Sequence, residues 1–112
     1  MNGTEKQIAW AEKIKTELLS QVEAEAVKWE SRKCNSEERR QRADGMAKAY
    51  RDALENYLRP QKAENIAKKR NASYWIDGRN DHFSEVHRRA MIRFDKAFPK
   101  QEYEENPNYI ER

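Results

Sequence analysis

The chain has 112 residues, of which 38% are charged and 37% hydrophobic, and its formal net charge is +3. This length fits one domain, and the low net charge together with three Trp, five Tyr and three Phe argues against a disordered chain. No apolar run is long enough to span a bilayer, and a single cysteine excludes an intramolecular disulfide and a cysteine-based zinc site. We therefore expect a cytoplasmic domain without membrane contact, with a thin core of alanine and aromatic side chains.

The N-terminal part of the chain predicts one long helix. Thr4 and Gln7 have the spacing of a capping box, in which each side chain accepts a hydrogen bond from the backbone amide of the other residue. Trp10 lies on the flank of the following apolar face and Val27 points away from it. The face itself repeats at three- and four-residue steps through Ile8, Ala11, Ile14, Leu18, Val22, Ala26 and Trp29. The predicted helix runs from about Glu5 to about Lys33.

A second helix is predicted to begin at a cap on Asn35 or Ser36 and to end before Pro60. Its apolar face consists of Ala43, Met46, Ala47, Tyr50, Ala53, Leu54, Tyr57 and Leu58. Gly45 falls on the outer face, where a glycine costs about 1 kcal/mol relative to alanine. A single helix is our interpretation, and a bend with Asp44 as a new cap is the alternative.

The segment after Pro60 has an ambiguous helical pattern. It places Ala63, Ile66 and Ala67 in phase and ends at Gly78, a residue that favours helix termination. An unbroken helix would turn Trp75 away from that apolar face. The segment therefore either breaks near Asn71 or is buried on two sides.

A last helix is predicted to begin at Asn80 or Asp81 and to end before Pro99. Its apolar face consists of Phe83, Val86, Ala90, Phe94, Ala97 and Phe98. No segment alternates with period two, so we predict the all-α class, a bundle of about four helices formed by residues 1–98. Residues 99–112 carry four Glu against one Lys and one Arg, and we expect a flexible acidic tail. The alternative is that Tyr103, Tyr109 and Ile110 dock on the body or on a partner.

Residue types that carry out catalysis or bind metals are sparse. His82 and His87 are five residues apart and so point about 140° from each other, whereas two metal ligands on one helix favour a four-residue spacing. We interpret both histidines as capping and turn residues. Cys34 has no histidine near it in sequence to activate it, and the chain lacks a phosphate-binding glycine loop. We expect no catalytic, metal or cofactor site.

Basic residues give a candidate nucleic-acid surface. Arg89, Arg93 and Lys96 share one flank of the last helix, and a basic run precedes Asn71. Cations grouped in this way suit phosphate contacts, and the candidate residues are Lys68, Lys69, Arg70, Arg89 and Arg93. Acidic residues are nearly as numerous, so a solvated surface laced with salt bridges is the alternative interpretation.

An apolar outlier gives a candidate protein-binding surface. Ile92 lies roughly 160° from the apolar face of the last helix. Together with Val27 and Trp75 it would form an interface anchor if these residues cluster. The candidate partner-binding residues are Trp75, Arg88, Arg89, Ile92, Arg93 and Lys96.

Two short motifs, EKQIAWAEKIK at residues 5–15 and YWIDGR at residues 74–79, resemble a pair found in small helical proteins of bacterial, phage and plasmid genomes. The resemblance implies a genomic neighbourhood rather than a reaction. In physical terms, Trp75 or Tyr74 would pack beside Trp10, and Asp77 and Arg79 would bridge or cap the adjoining helices. The structural motif then comprises Thr4, Gln7, Trp10, Trp75, Asp77 and Arg79. A stacking platform for bases, formed by the two tryptophans, is the alternative.

The sequence thus favours a non-enzymatic binding protein that occupies a surface of a larger protein or nucleoprotein. The resemblance adds one concrete version, an inhibitor of host machinery in the manner of anti-CRISPR proteins. The first alternative is a small nucleic-acid-binding module that uses the basic ridge of the last helix. The second is a homodimer that completes its own thin core.

Overall fold

A computed structural model describes residues 1–99, which form five α-helices joined by short loops. In chain order these are α1 (Glu5–Glu30), α2 (Glu37–Leu58), α3 (Ala63–Lys69), α4 (Ala72–Asp77) and α5 (His82–Ala97). The described residues contain no strand beyond an isolated bridge between Asn2 and Asn71, which confirms the all-α class. None of the described helices is both long and apolar enough to cross a membrane. The predicted acidic tail beyond Pro99 lies outside the described residues.

The capping box predicted at the start of α1 is present. The Gln7 amide donates to Thr4 Oγ1 at 3.2 Å, and the Thr4 amide donates to Gln7 Oε1 at 2.9 Å. The helix ends at Glu30, three residues earlier than predicted. Arg40 explains the early end, because its guanidinium donates to the carbonyl oxygens of Trp29 and Arg32 and turns the chain toward α2.

Helix α2 is continuous through Gly45. Of the two predicted caps, Asn35 and Ser36, it is Ser36 that caps the helix, with its Oγ accepting the Arg39 amide at 3.2 Å. The prediction that Gly45 faces outward is wrong. A Cβ atom at this position would overlap the ring of Phe98, so the end of α5 packs over the glycine. The sequence pattern missed this contact because Phe98 lies at the far end of the chain.

The ambiguous segment after Pro60 breaks at Asn71, so residues 1–99 form five helices rather than about four. The N-terminal segment holds the break in place, since the Asn2 amide donates to Arg70 O at 2.6 Å and the Ala72 amide donates to Asn2 O at 2.8 Å. The change of direction lets α4 bury Trp75, which is 1% exposed, whereas α3 buries no residue completely.

The core consists largely of alanine and aromatic side chains, as the composition predicts. Eight of the seventeen apolar residues that are buried in the described part of the chain are alanines, which allow the helices to approach closely. Helix α2 packs against both α1 and α5, and α4 packs against α1. On the surface of the α1–α2 pair, Arg51 forms ion pairs of 2.9 Å with Glu23 and 2.7 Å with Glu30.

Candidate anion-binding cleft

A hydrogen-bonded chain of aromatic side chains lies where α2, α4 and α5 meet. Tyr57 Oη lies 2.5 Å from His82 Nδ1 and 2.8 Å from Tyr74 Oη, while His82 Nε2 lies 2.9 Å from the carbonyl oxygen of Trp75. A carbonyl oxygen only accepts, so His82 Nε2 carries the proton and Nδ1 accepts from Tyr57. The Tyr74 hydroxyl is then the donor to Tyr57. Burial lowers the pKa of His82, in agreement with a neutral ring.

Lys69 attaches α3 to this chain of side chains. Its ammonium donates to the backbone carbonyl of Tyr57 and lies 3.5 Å from the centroid of the Tyr57 ring. In return, Trp75 Nε1 donates to the Lys69 carbonyl at 3.0 Å. Burial, followed by the charge of Arg89, lowers the pKa of Lys69 to about 8. Lys69 therefore still carries its charge at neutral pH.

A cleft of about 270 Å³ opens beside Lys69, between the end of α2, α3 and α5. We call it the cation cleft. Its walls are formed by Asn56, Pro60, Gln61, Lys62, Asn65, Lys68, Lys69, Tyr74 and Arg89. Four of these side chains are cations, three are amides and one is a phenol, and none of the described residues that line the cleft is acidic. The cations and the amides thus offer hydrogen-bond donors to an anion, whereas the Tyr74 hydroxyl already donates to Tyr57.

The positive charge of the cleft is only partly compensated. Within residues 1–99, no ion pair joins Lys62, Lys68 or Lys69 to a carboxylate. Arg89 is the exception, because its Nε donates to Glu85 Oε1 at 3.0 Å. Hydrogen bonds from Arg88 and Arg89 lower the pKa of Glu85 to about 2, so this carboxylate stays ionised. The Glu85 ion pair orients Arg89, while the ammonium groups of the three lysines face no carboxylate of the described residues.

The structure brings together three of the five predicted nucleic-acid contacts. Lys68, Lys69 and Arg89 all line the cation cleft, although α3 and α5 are separated in sequence. Arg70 is exposed at the end of α3, and Arg93 is exposed one turn beyond Arg89. Neither lines the cleft. The sequence pattern did not single out Asn56, Gln61, Lys62 and Asn65, and it gave Tyr74 only a packing role beside Trp10, because these residues come together only in the folded chain.

Five of the six predicted protein-binding residues lie on α5, whereas the sixth, Trp75, does not belong to their surface. Ile92 is 43% exposed, as its position on the helix predicts, and Arg88 one turn before it donates to Glu85. Trp75 is buried against Tyr57 and His82, so its assignment to a partner surface is wrong. The break at Asn71 is the physical reason, since it rotates α4 and turns the tryptophan inward.

The motif pair also has a different geometry from the one expected. Trp10 is 47% exposed, and Arg79 rather than Trp75 covers it, with the guanidinium carbon 5.4 Å from a Trp10 ring centroid. The Arg79 side chain also donates to the Ile76 carbonyl at 2.8 Å, which caps α4, whereas Asp77 is exposed at the last turn of that helix. A platform of two stacked tryptophans is excluded by the burial of Trp75.

The interpretation of both histidines as capping and turn residues is wrong. His82 is 4% exposed and belongs to the core, and His87 Nδ1 lies 2.6 Å from the hydroxyl of buried Tyr50. The spacing of His82 from Val86 and Ala90, four and eight residues, would have identified it as a core residue. Cys34 lies between α1 and α2, where its sulfur contacts the Arg32 carbonyl at 3.5 Å.

Residues 1–99 contain no group of three or more histidine, cysteine or acidic side chains that could hold a metal ion. Comparisons of the chain with protein-family models, with curated proteins and with solved structures found no match.

Proposed function

We propose that this chain is a non-enzymatic nucleic-acid-binding module that contacts phosphates through the cation cleft. The observation that supports this function is the convergence of four cations from α3, its N-terminal flank and α5 on a cleft that no acidic residue within positions 1–99 lines. A low-dielectric concave wall concentrates the field of such charges on the space between them. Binding at neutral pH releases the counterions of the phosphates, which supplies affinity without sequence preference.

The flank of α5 extends this surface beyond the cleft. Arg93 and Lys96 follow Arg89 at four- and three-residue steps and are exposed, so they continue the same side of the helix for roughly 10 Å. A strand with one phosphate in the cleft would therefore meet two further cations along α5.

The test is the salt dependence of binding to a labelled single-stranded oligonucleotide. In a Lys62→Gln, Lys68→Gln variant we expect weaker binding. The negative slope of log affinity against log salt should also become less steep by about 1.4, which is about 0.7 for each lost phosphate contact. The matched control is Lys28→Gln, Lys33→Gln, which removes the same charge at the opposite end of the α1–α2 hairpin. Both control positions are exposed and lie outside the cleft.

Equal losses of affinity in the two double variants would contradict this proposal, because general charge rather than the cleft would then determine binding. Absence of measurable binding by the unaltered protein at low salt would contradict it as well. All four substituted lysines are exposed, so we expect every variant to fold, and circular dichroism would check this.

A protein partner is the second candidate function, and exposed Ile92 beside Arg88 favours it. The resemblance to helical proteins of phage and plasmid genomes supports one version of it, an inhibitor of a host defence or replication machine. We expect Ile92→Asp to abolish partner capture from a host lysate at high salt after nuclease treatment, whereas Val27→Asp, also at an exposed apolar residue, should not. Undiminished capture by the Ile92 variant would reject this surface.

A further inference from the structure

The four cations of the cleft lie at two depths. Lys62 and Lys68 are exposed at the rim, whereas Lys69 and Arg89 are half-buried. The inner pair lies over one aromatic ring, with Lys69 Nζ 3.5 Å and the Arg89 guanidinium carbon 5.2 Å from the Tyr57 ring centroid. A ligand that reaches both inner cations must enter the cleft rather than lie across its mouth.

From this arrangement we infer that the cation cleft receives the terminal phosphomonoester of a nucleic-acid strand, with Lys69 and Arg89 as the inner contacts. The inference rests on the proposed function, because the rest of the strand must still follow the rim and the flank of α5. It adds a preference for strand ends that backbone binding alone would not produce.

The size of the cleft favours a chain end over an internal phosphodiester. At about 270 Å³ it is slightly smaller than the pockets of roughly 300 Å³ and more that enclose a whole small ligand, so it fits a phosphate and part of its sugar. An internal phosphodiester that contacts both inner cations carries a nucleotide on each side, and both nucleotides would need room beside the cleft. A terminal phosphate needs room for only one.

The positive charge of the cleft also favours a terminal phosphate over an internal phosphodiester. A phosphomonoester has a second pKa of about 6 and is largely a dianion at neutral pH, whereas each internal phosphodiester carries a single negative charge. Lys69 lacks an acidic partner among the described residues, and Arg89 has only Glu85. A dianion compensates this pair of inner cations better than a monoanion does, through charge-assisted hydrogen bonds.

Free mononucleotides carry the same phosphomonoester, so the experiment must separate the two sources. We would measure fluorescence anisotropy with one single-stranded sequence in three forms, with a 5′-phosphate, with a 3′-phosphate and with neither, labelled away from the phosphate. We expect at least one phosphorylated form to bind about tenfold more tightly than the unphosphorylated strand, which corresponds to one additional charge-assisted contact. A mononucleotide should compete only weakly, because it lacks the strand that follows α5.

Each outcome of this experiment has a separate meaning. Equal binding of all three strands would overturn the preference for ends while leaving nucleic-acid binding intact. Absence of binding by any strand would overturn the proposed function itself. Competition by the mononucleotide at the same concentration as the phosphorylated strand would overturn the strand as the source of the phosphate.

The Lys69→Met variant tests the inner contact, because methionine keeps an unbranched side chain beside the Tyr57 ring but lacks the ammonium. We expect it to bind all three strands equally, while Lys33→Met, the control, retains the preference. A measurement on the unaltered protein keeps the test valid if Lys69→Met fails to fold. In phosphorus NMR the terminal resonance should shift on binding more than the internal resonances, and a uniform shift would overturn the inference.

Discussion

At the scale of single residues, the hydroxyl of Tyr57 forms hydrogen bonds that join α2 to α4 and to α5. It donates to His82, which is buried, and accepts from Tyr74, which is half-buried. Tyr50 offers a matched comparison, since it is equally buried but its hydroxyl meets His87, which is exposed. The cost of losing each hydroxyl should therefore differ.

We expect Tyr57→Phe to lower the free energy of unfolding by about 1–3 kcal/mol, because it leaves His82 Nδ1 buried without a donor. Tyr50→Phe should cost less, since water can replace the lost partner of His87. Urea denaturation of the two variants beside the unaltered protein measures both values. A Tyr57→Phe variant no less stable than Tyr50→Phe would show that the described chain of hydrogen bonds is absent in solution.

Burial of His82 also predicts a pH dependence of stability. Its pKa is lowered in the folded protein from the ordinary value of 6.5, so below that pH the unfolded chain binds more protons than the folded one. The stabilisation is complete above pH 6.5 and is lost as the pH falls through and below that value. Glu85, with a pKa lowered from 4.5 to about 2, contributes a second loss only below pH 4.5.

The measurement is the free energy of unfolding from urea denaturation at pH 7 and at pH 5, which separates the effect of His82 from that of Glu85. We expect lower stability at pH 5. A His87→Gln variant, which alters the exposed histidine, should keep this dependence. Stability that is constant or higher at pH 5 would contradict a neutral, buried His82.

At the scale of helices, the packing of Phe98 over Gly45 predicts that two substitutions are coupled. Glycine to alanine within a helix normally stabilises by roughly 0.5–1 kcal/mol. Here the new methyl group would meet the Phe98 ring, so we expect Gly45→Ala to destabilise the protein. In a Phe98→Ala background the same change should stabilise it, because the obstructing ring is gone.

A double-mutant cycle measured by urea denaturation gives the coupling between the two positions, and we expect about 1 kcal/mol or more. An effect of Gly45→Ala that is the same in both backgrounds would contradict the contact between the end of α5 and α2.

The helices also show which parts of the fold local sequence patterns can predict. Capping at Thr4 and at Ser36 depends on residues within one turn; the first cap was predicted outright, and the second was one of the two predicted candidates. The break at Asn71 was only one of two alternatives in the sequence analysis. The residue that bonds the backbone on both sides of the break is Asn2, some seventy positions away. Gly45 was placed on the wrong face for the same reason. Local patterns determine where these helices begin. Distant residues determine where a helix is interrupted and which side chains pack against it.

At the scale of the whole molecule, the cation cleft is assembled from parts that are far apart in sequence. The basic character of Lys68, Lys69 and Arg89 was recognisable, and all three were predicted as phosphate contacts. Their convergence was not predictable, because it depends on the angle between α3 and α5, which the break at Asn71 and the contact of Lys69 with Tyr57 determine. The core that holds this angle contains His82, which the sequence analysis had interpreted as a capping or turn residue.

The central claim is that nucleic acid binds in the cation cleft, and amide NMR spectra of the full chain during titration with a single-stranded oligonucleotide test it most directly. We expect the chemical shift changes to concentrate in residues 56–69 and 85–93, with no comparable change at residues 28–33, the far end of the α1–α2 hairpin. Changes centred on the groove beside Trp10, which Arg79 and Phe83 also line, with residues 56–69 unaffected, would contradict the account.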